Sequence, residues 1–194
     1  MPDASPAEPR RAFDRVVVAS GHMADLPGRT PARFPAPAEP AMAAALERAL
    51  RAWDVGPGSL VITGGARGVD IIAAERALAL GAEVWLLLAL SDAQFVAESV
   101  DIPGTDWLAR FAELRRRCPT WTQADELGPP AAGEDVFERN NDWAVAVAGA
   151  QAPAGRLRVV VVWDGEEGDG RGGTAHLVAR ARAAGAALAV IRPG

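Results

Sequence analysis

The chain has 194 residues, 49% of them hydrophobic and 23% charged, with a net charge of −5 and a pI near 5.1. That length suits one domain with a core large enough to need no covalent staples, and the acidic balance disfavours non-specific nucleic-acid binding, which needs a basic field. A single cysteine, Cys118, excludes an internal disulfide, and two histidines leave little for a histidine-based metal site, so no resident metal is expected.

The opening MPDASPAEPRR has no apolar stretch of the kind a signal peptide carries, and residues 1–12 are expected to form a disordered tail ahead of a single domain over 13–194. The apolar run Ala82–Leu90 is too short to span a bilayer, so no membrane partner is expected and the cytoplasm is the default location. Every basic residue is arginine, a composition bias with one chemical consequence. Any phosphate held by a side chain here meets a guanidinium, which can donate two parallel hydrogen bonds.

Val16–Ser20 reads as a buried strand, followed by a proline-rich loop over Gly21–Pro40. A helix is expected over Pro40–Trp53, with Met42, Leu46, Leu50 and Trp53 on its apolar stripe. VGPGS turns the chain into a strand at Leu60–Thr63, the GGARG loop and a helix over Val69–Leu80 that Gly81 ends. Val84–Ala89 is the third strand, and helical pieces follow near Ala93–Ser99 and Asp106–Arg116, the latter burying Trp107, Phe111 and Leu114. A short strand at Thr120–Gln123, a loop over Asp125–Glu134 and a helix over Val136–Ala148 lead to the β-branched strand Leu157–Trp163. A glycine-rich loop, a helix over Thr174–Ala184 and a strand at Ala187–Ile191 complete the chain. Strands that are continuous apolar runs, alternating with helices, predict an α/β Rossmann-like three-layer α/β/α fold around a mostly parallel sheet.

Ligands of such sheets bind outside the carboxyl ends of the strands. Three clusters follow strands and so project from that edge: Ser20–Pro35, Gly64–Asp70 and Trp163–Thr174. In the second, Gly64, Gly65 and Gly68 permit positive φ and close backbone approach, and the helix from Val69 offers amides and the positive end of its dipole to an anion. Arg67 can clamp a phosphate; Asp70 can bind a ribose hydroxyl, orient Arg67 or simply cap the helix. In the third, Gly170, Arg171, Gly172 and Gly173 lead to Thr174, an N-cap or phosphate ligand, while acidic residues there could bind ribose or hold Mg²⁺ beside a polyphosphate. In the first, Ser20, Gly21, His22 and Arg29 are candidate ligand contacts, although a lone loop histidine is more often structural than catalytic. Trp163 can stack on a base.

Three segments carry a resemblance. VITGGARGVDIIAAERALALGAEVWLLLA resembles the strand, S/G-G-x-A-R-G-I/V-D loop, helix and strand of the DNA-processing A (Smf) proteins. ERNNDWAVAVAGA followed by RVVVVWDGEEGDGRGGT is similar to the lonely-guy (LOG) phosphoribohydrolases, in which an E-R helix start precedes a strand ending in P-G-G-x-G-T. SGHMADLPGRTPARFP resembles a subgroup found in multidomain signalling proteins. Together they resemble the SLOG superfamily over roughly Val16–Ile191.

The resemblance implies a catalytic role for Arg139, with Asn140 beside it at the ligand, and a phosphate loop at Gly173 and Thr174. Asp169, Gly170 and Arg171 stand where that loop has P-G-G, and Leu177 stands where LOG needs a glutamate. A carboxylate is needed there to stabilise an oxocarbenium-like sugar or activate its water; Asp164, Asp169 or Glu138 would have to replace it. The leading expectation is a sensor domain for a nucleotide or nucleotide-derived ligand. The alternatives are a nucleoside monophosphate phosphoribohydrolase and, less favoured by the pI, a single-stranded DNA binder. A homo-oligomer is compatible with either.

Overall fold

The computed structural model describes residues 13–153, 156–166 and 171–193; the expected tail over residues 1–12 lies outside them. The chain forms β1 (Arg15–Gly21), α1 (Glu39–Ala52), β2 (Ser59–Thr63), α2 (Val69–Ala79), β3 (Glu83–Leu88), α3 (Asp92–Phe95), α4 (Trp107–Arg117), β4 (Thr120–Thr122), α5 (Gln123–Leu127), α6 (Val136–Gln151), β5 (Leu157–Val162), α7 (Thr174–Ala183) and β6 (Ala187–Ile191). Six strands make one sheet in the order β4-β3-β2-β1-β5-β6, and every pairing is parallel.

Both faces of the sheet are covered, which is why the centres of its inner strands are continuous apolar runs rather than alternating ones. Val17, Ala19, Val61, Leu86 and Leu88 face one core with α1, α2 and α4. Val16, Val18, Leu60 and Ile62 face the other with Trp143 and Ala144 of α6 and Leu177 and Val178 of α7. Met42, Leu46 and Leu50 are the buried stripe of α1, and Trp107, Phe111 and Leu114 that of α4. Arg110 ties the first layer together, donating to both Glu75 oxygens at 2.8 and 2.7 Å and to Glu39 at 2.6 Å.

Two local expectations change. The helical piece expected near Ala93–Ser99 is a four-residue α3 that widens into a π-type turn over Val96–Val100. The loop expected from Asp125 begins as the short α5, because Gln123 is buried and its Nε2 donates to Val136 O at 2.9 Å, anchoring the turn to the start of α6.

The strand order reverses between β1 and β5, which makes their carboxyl ends the switch point where a crevice opens. At this point the two strands run tightly side by side, with Gly21 opposite Val162. A Cβ on Gly21 would lie 2.5 Å from Val162 O, and the next amide, His22 N, donates to that same oxygen at 3.2 Å. Gly21→Ala should therefore push β1 from β5 and cost about 2–4 kcal/mol of stability. Chemical denaturation checks this, and an unchanged midpoint would show that the strand ends part without cost.

Candidate functional site

The three strand-end clusters meet at a cleft of about 470 Å³ above the carboxyl edge of the sheet. Its first wall is the segment after β1, which contributes Ser20, Gly21, Met23, Leu26, Arg29 and Arg33. Its floor is the end of β2 and the loop beyond, with Thr63, Gly64, Arg67 and Asp70. The opposite wall is α6 with the start of α7, where Phe137, Asn140 and Asn141 face Arg171, Gly172, Gly173 and Thr174. Phe137, Asn140, Asn141 and Ala144 share the cleft because positions three and four apart lie on one helix face.

The loop after β2 is stitched to its neighbours rather than left open. Gly68 has φ +91, and a Cβ there would lie 2.5 Å from Ala24 N. Its glycine is needed because the first loop's backbone crosses it; Val69 N donates to His22 O at 3.3 Å, capping the start of α2. The helix N-terminus expected to receive an anion thus takes a carbonyl of this chain. Gly65, with φ +80, turns its α-carbon toward Phe111 and Leu88 in the core and does not line the cleft. Arg67 does line it, but is only 5% exposed; its Nε donates to Ala24 O at 3.1 Å and Nη1 to Glu98 O at 3.0 Å. Two of the three guanidinium nitrogens expected for a phosphate clamp hold loops together instead.

Asp70 has the other unusual environment. It is buried beneath the cleft, and Oδ2 accepts from Ala66 N at 3.3 Å. Removal from water pushes its carboxyl up to about 7, against the opposing pull of the Ser20 hydroxyl and the amides of Ala66 and Gly64. Gly64 is fitted to it, since a Cβ there would sit 2.8 Å from Oδ2.

His22 and Asp164 form a pair outside the cleft lining. Burial lowers the His22 pKa despite the attraction of Asp164, so the ring is neutral and its Nε2 accepts from Asp164 N at 3.2 Å. Desolvation pushes Asp164 up, but the Glu166 amide and Arg33, whose Nε lies 3.4 Å from Oδ2, outweigh it and hold the carboxyl below its usual range. The pair locks the ends of β1 and β5 together. Trp163 also stays out, packing on the second core with its Nε1 donating to Glu166 O at 2.7 Å.

Arg139 does not reach the cleft. Asp135 caps α6 by accepting from Phe137 N and Glu138 N, and the helical phase then turns Arg139 toward α5. There its guanidinium donates to Leu127 O and Gly128 O, both at 2.9 Å, and to Gln123 Oε1 at 3.2 Å. Neighbouring Asn140 does face the ligand space while donating to Leu87 O at the end of β3 at 3.0 Å. Glu138 accepts a two-pronged bond from Arg171 at 3.2 and 2.9 Å, seating the third loop on α6. Asp169 and Gly170 lie outside the described residues. Among the described residues no group of three metal-ligating side chains comes together, and no helix is long and apolar enough to cross a membrane.

Sequence reasoning missed several contributors, Thr63 and Arg33 among them. Asn141 donates to Gly172 O at 2.8 Å and holds the third loop in place. Gly172 needs its positive φ of +76 there, because a Cβ would lie 2.4 Å from Glu138 N. Met23, Leu26 and Phe137 are 44%, 52% and 37% exposed, three of the six large apolar side chains exposed among the described residues, and all three line this cleft. The available signal was an apolar residue where a helical or loop pattern calls for a polar one.

No protein-family model matches the chain, and no curated protein matches it significantly.

Two measurements probe this arrangement. Arg67→Ala leaves the carbonyls of Ala24, buried, and Glu98, partly buried, without this donor and should lower stability by about 2–4 kcal/mol; retention of the wild-type melting temperature would contradict a stitching role. Asp70 should make wild-type stability fall as pH rises. The unfolded carboxyl ionises near 3.8 while the folded one holds its proton to about 7. The folded state thus binds more protons in that window, and the cost grows from pH 4 to 7 and is complete above it, on the order of 4 kcal/mol. Asp70→Asn should remove that decline, so the two stability curves should diverge from pH 4 to 7 and run parallel above.

Proposed function

We propose that the cleft binds a nucleotide or nucleotide-derived ligand and that the domain acts as a cytoplasmic sensor of it, within the SLOG superfamily that its GGARGVD, ERN and GGT segments resemble. The observation that carries the reading is the pairing of surfaces in one cleft: exposed Met23, Leu26 and Phe137 beside Arg29, Arg33 and Arg171. The start of α7 adds to the polar side, since Gly173 and Thr174 line the cleft and, among the described residues, no side chain caps that helix. A flat apolar base suits the first surface, and an anionic group suits the second, where helix amides and guanidinium groups favour negative charge. The volume falls in the range typical of small-ligand sites.

Binding is favoured over hydrolysis. The residue in the position where LOG enzymes need a carboxylate, Leu177, lines the cleft with 1% exposure and supplies neither charge nor proton. Arg139, to which the resemblance would assign catalysis, is bonded to α5 and its following turn instead. Loss of an acid–base group costs roughly 10²–10⁴ in rate, whereas a site built from backbone and arginines keeps its affinity.

Calorimetry with AMP, GMP, CMP and UMP, run beside an assay for free-base release, tests both halves. At least one nucleotide should bind, with base release at the uncatalysed background. Phe137→Ala should weaken that binding by about 1–2 kcal/mol, roughly 5–30-fold, the usual worth of an aromatic platform under a base. Turnover near one per second on any of the four would replace the sensor with an enzyme, and an absence of binding would end the nucleotide reading.

A further inference from the structure

The cleft floor holds polar atoms whose hydrogen bonding within the fold is incomplete. Thr63, at the end of β2, is 1% exposed, and Asp70, in the first turn of α2, is 6% exposed; both line the cleft. Thr63 Oγ1 and Asp70 Oδ1 are fully buried and neither completes a hydrogen bond of ordinary geometry. A third polar group, the Ser20 hydroxyl at the end of β1, lines the same floor and neighbours the carboxyl. Buried polar atoms without partners destabilise a fold, and apolar residues of the same shape would not. The Ser20 and Thr63 hydroxyls act on the Asp70 carboxyl, so the floor is a hydrogen-bonding cluster with capacity left for a further partner.

The chemistry of that partner follows from what surrounds the carboxyl. It faces the hydroxyls of Ser20 and Thr63 and the amides of Gly64 and Ala66. The nearest cation along the chain, Arg67, has its guanidinium turned to the carbonyls of Ala24 and Glu98. Among the described residues no cation acts on that carboxyl, and a phosphate there would meet acceptors and an acid. Adjacent groups able to donate and accept in turn suit a pair of hydroxyls.

We propose that Ser20, Thr63 and Asp70 form a subsite for the sugar hydroxyls of the ligand, seating the sugar on the floor of the cleft with its anionic end toward the start of α7 and Arg171. This inference rests on the nucleotide reading and adds the ligand's orientation to it. Gly64 contributes by its lack of a side chain, since a Cβ there would press on Asp70 Oδ2 and displace the carboxyl.

The test uses AMP, 2′,3′-dideoxy-AMP and D-ribose as probes on the wild type, Thr63→Val and Asp70→Leu, with calorimetry for the nucleotides and amide NMR shifts for ribose. Folding of each variant is checked by the same amide spectrum, and Thr63→Val, which keeps the side-chain shape, stands in if Asp70→Leu does not fold. The wild type should prefer AMP over its dideoxy analogue by about tenfold or more, and both variants should lose that preference. Ribose should shift the amides of Gly64, Ala66 and Asp70 in the wild type only. Equal preference in wild type and variants overturns the subsite while leaving the nucleotide reading intact. Ribose shifts without AMP binding overturn the nucleotide reading and keep a sugar subsite. No shift with ribose and no binding of AMP overturn both.

Discussion

Arg67 is a cation removed from water, and burial of that kind is tolerated only where carbonyl oxygens replace the lost hydration. Its guanidinium bonds Ala24 O and Glu98 O, its amide bonds Ser99 O at 2.9 Å, and its carbonyl accepts from Ala24 N at 3.3 Å. Three segments meet at this residue: the loop after β1, the loop after β2 and the π-type turn after α3. None of them has a core of its own. The shape of the cleft's first wall and floor depends on this set of bonds, together with Ala24 and Phe34 packed in the core and the bond from His22 N to Val162 O.

The third loop is held by a different device. Asn141 reaches across to Gly172 O, Arg171 grips Glu138, and Gly172 lets the loop lie against the first turn of α6 with no side chain between them. These contacts bring the start of α7 up to the cleft. They also explain why the two glycine-rich loops play different parts. The one before α2 is packed against protein backbone, and its helix start is capped by His22 O. The one before α7 borders open space. Similar motifs therefore present different chemistry, according to whether another loop crosses them.

Electrostatics divide the cleft in the same way. Its rim carries arginines, each near an acid: Arg29 by Asp25, Arg33 by Asp164 and Arg171 by Glu138. Its floor carries Arg67, whose Nε and Nη1 bond backbone carbonyls, and Asp70, whose carboxyl burial raises to about 7. A rim of arginines over a hydrogen-bonding floor gives the cleft a polarity, and a ligand with a charged end and a hydroxylated middle would be oriented by it.

Sequence alone determined the sheet and its layers. Runs such as Leu60–Ile62 and Val159–Val162 are apolar at every position, which is stable only where both faces are covered, and the alternation with amphipathic helices then requires a parallel order. It also determined that the loops of interest emerge at one edge, since in a parallel sheet all strand ends point the same way. Only the tertiary structure decided what each residue of those loops does. Arg67 became a stitch rather than a clamp, Gly68 a crossing point and Arg139 a prop for α5, because carbonyls distant in sequence competed for their donors and space. Thr63, Asn141 and Phe137 entered the cleft for a related reason: their role depends on helical phase and strand end, and no local motif marks it. A strand's burial is written in its own composition, whereas the partner of a loop side chain is chosen by whatever other chain segment the fold brings within reach.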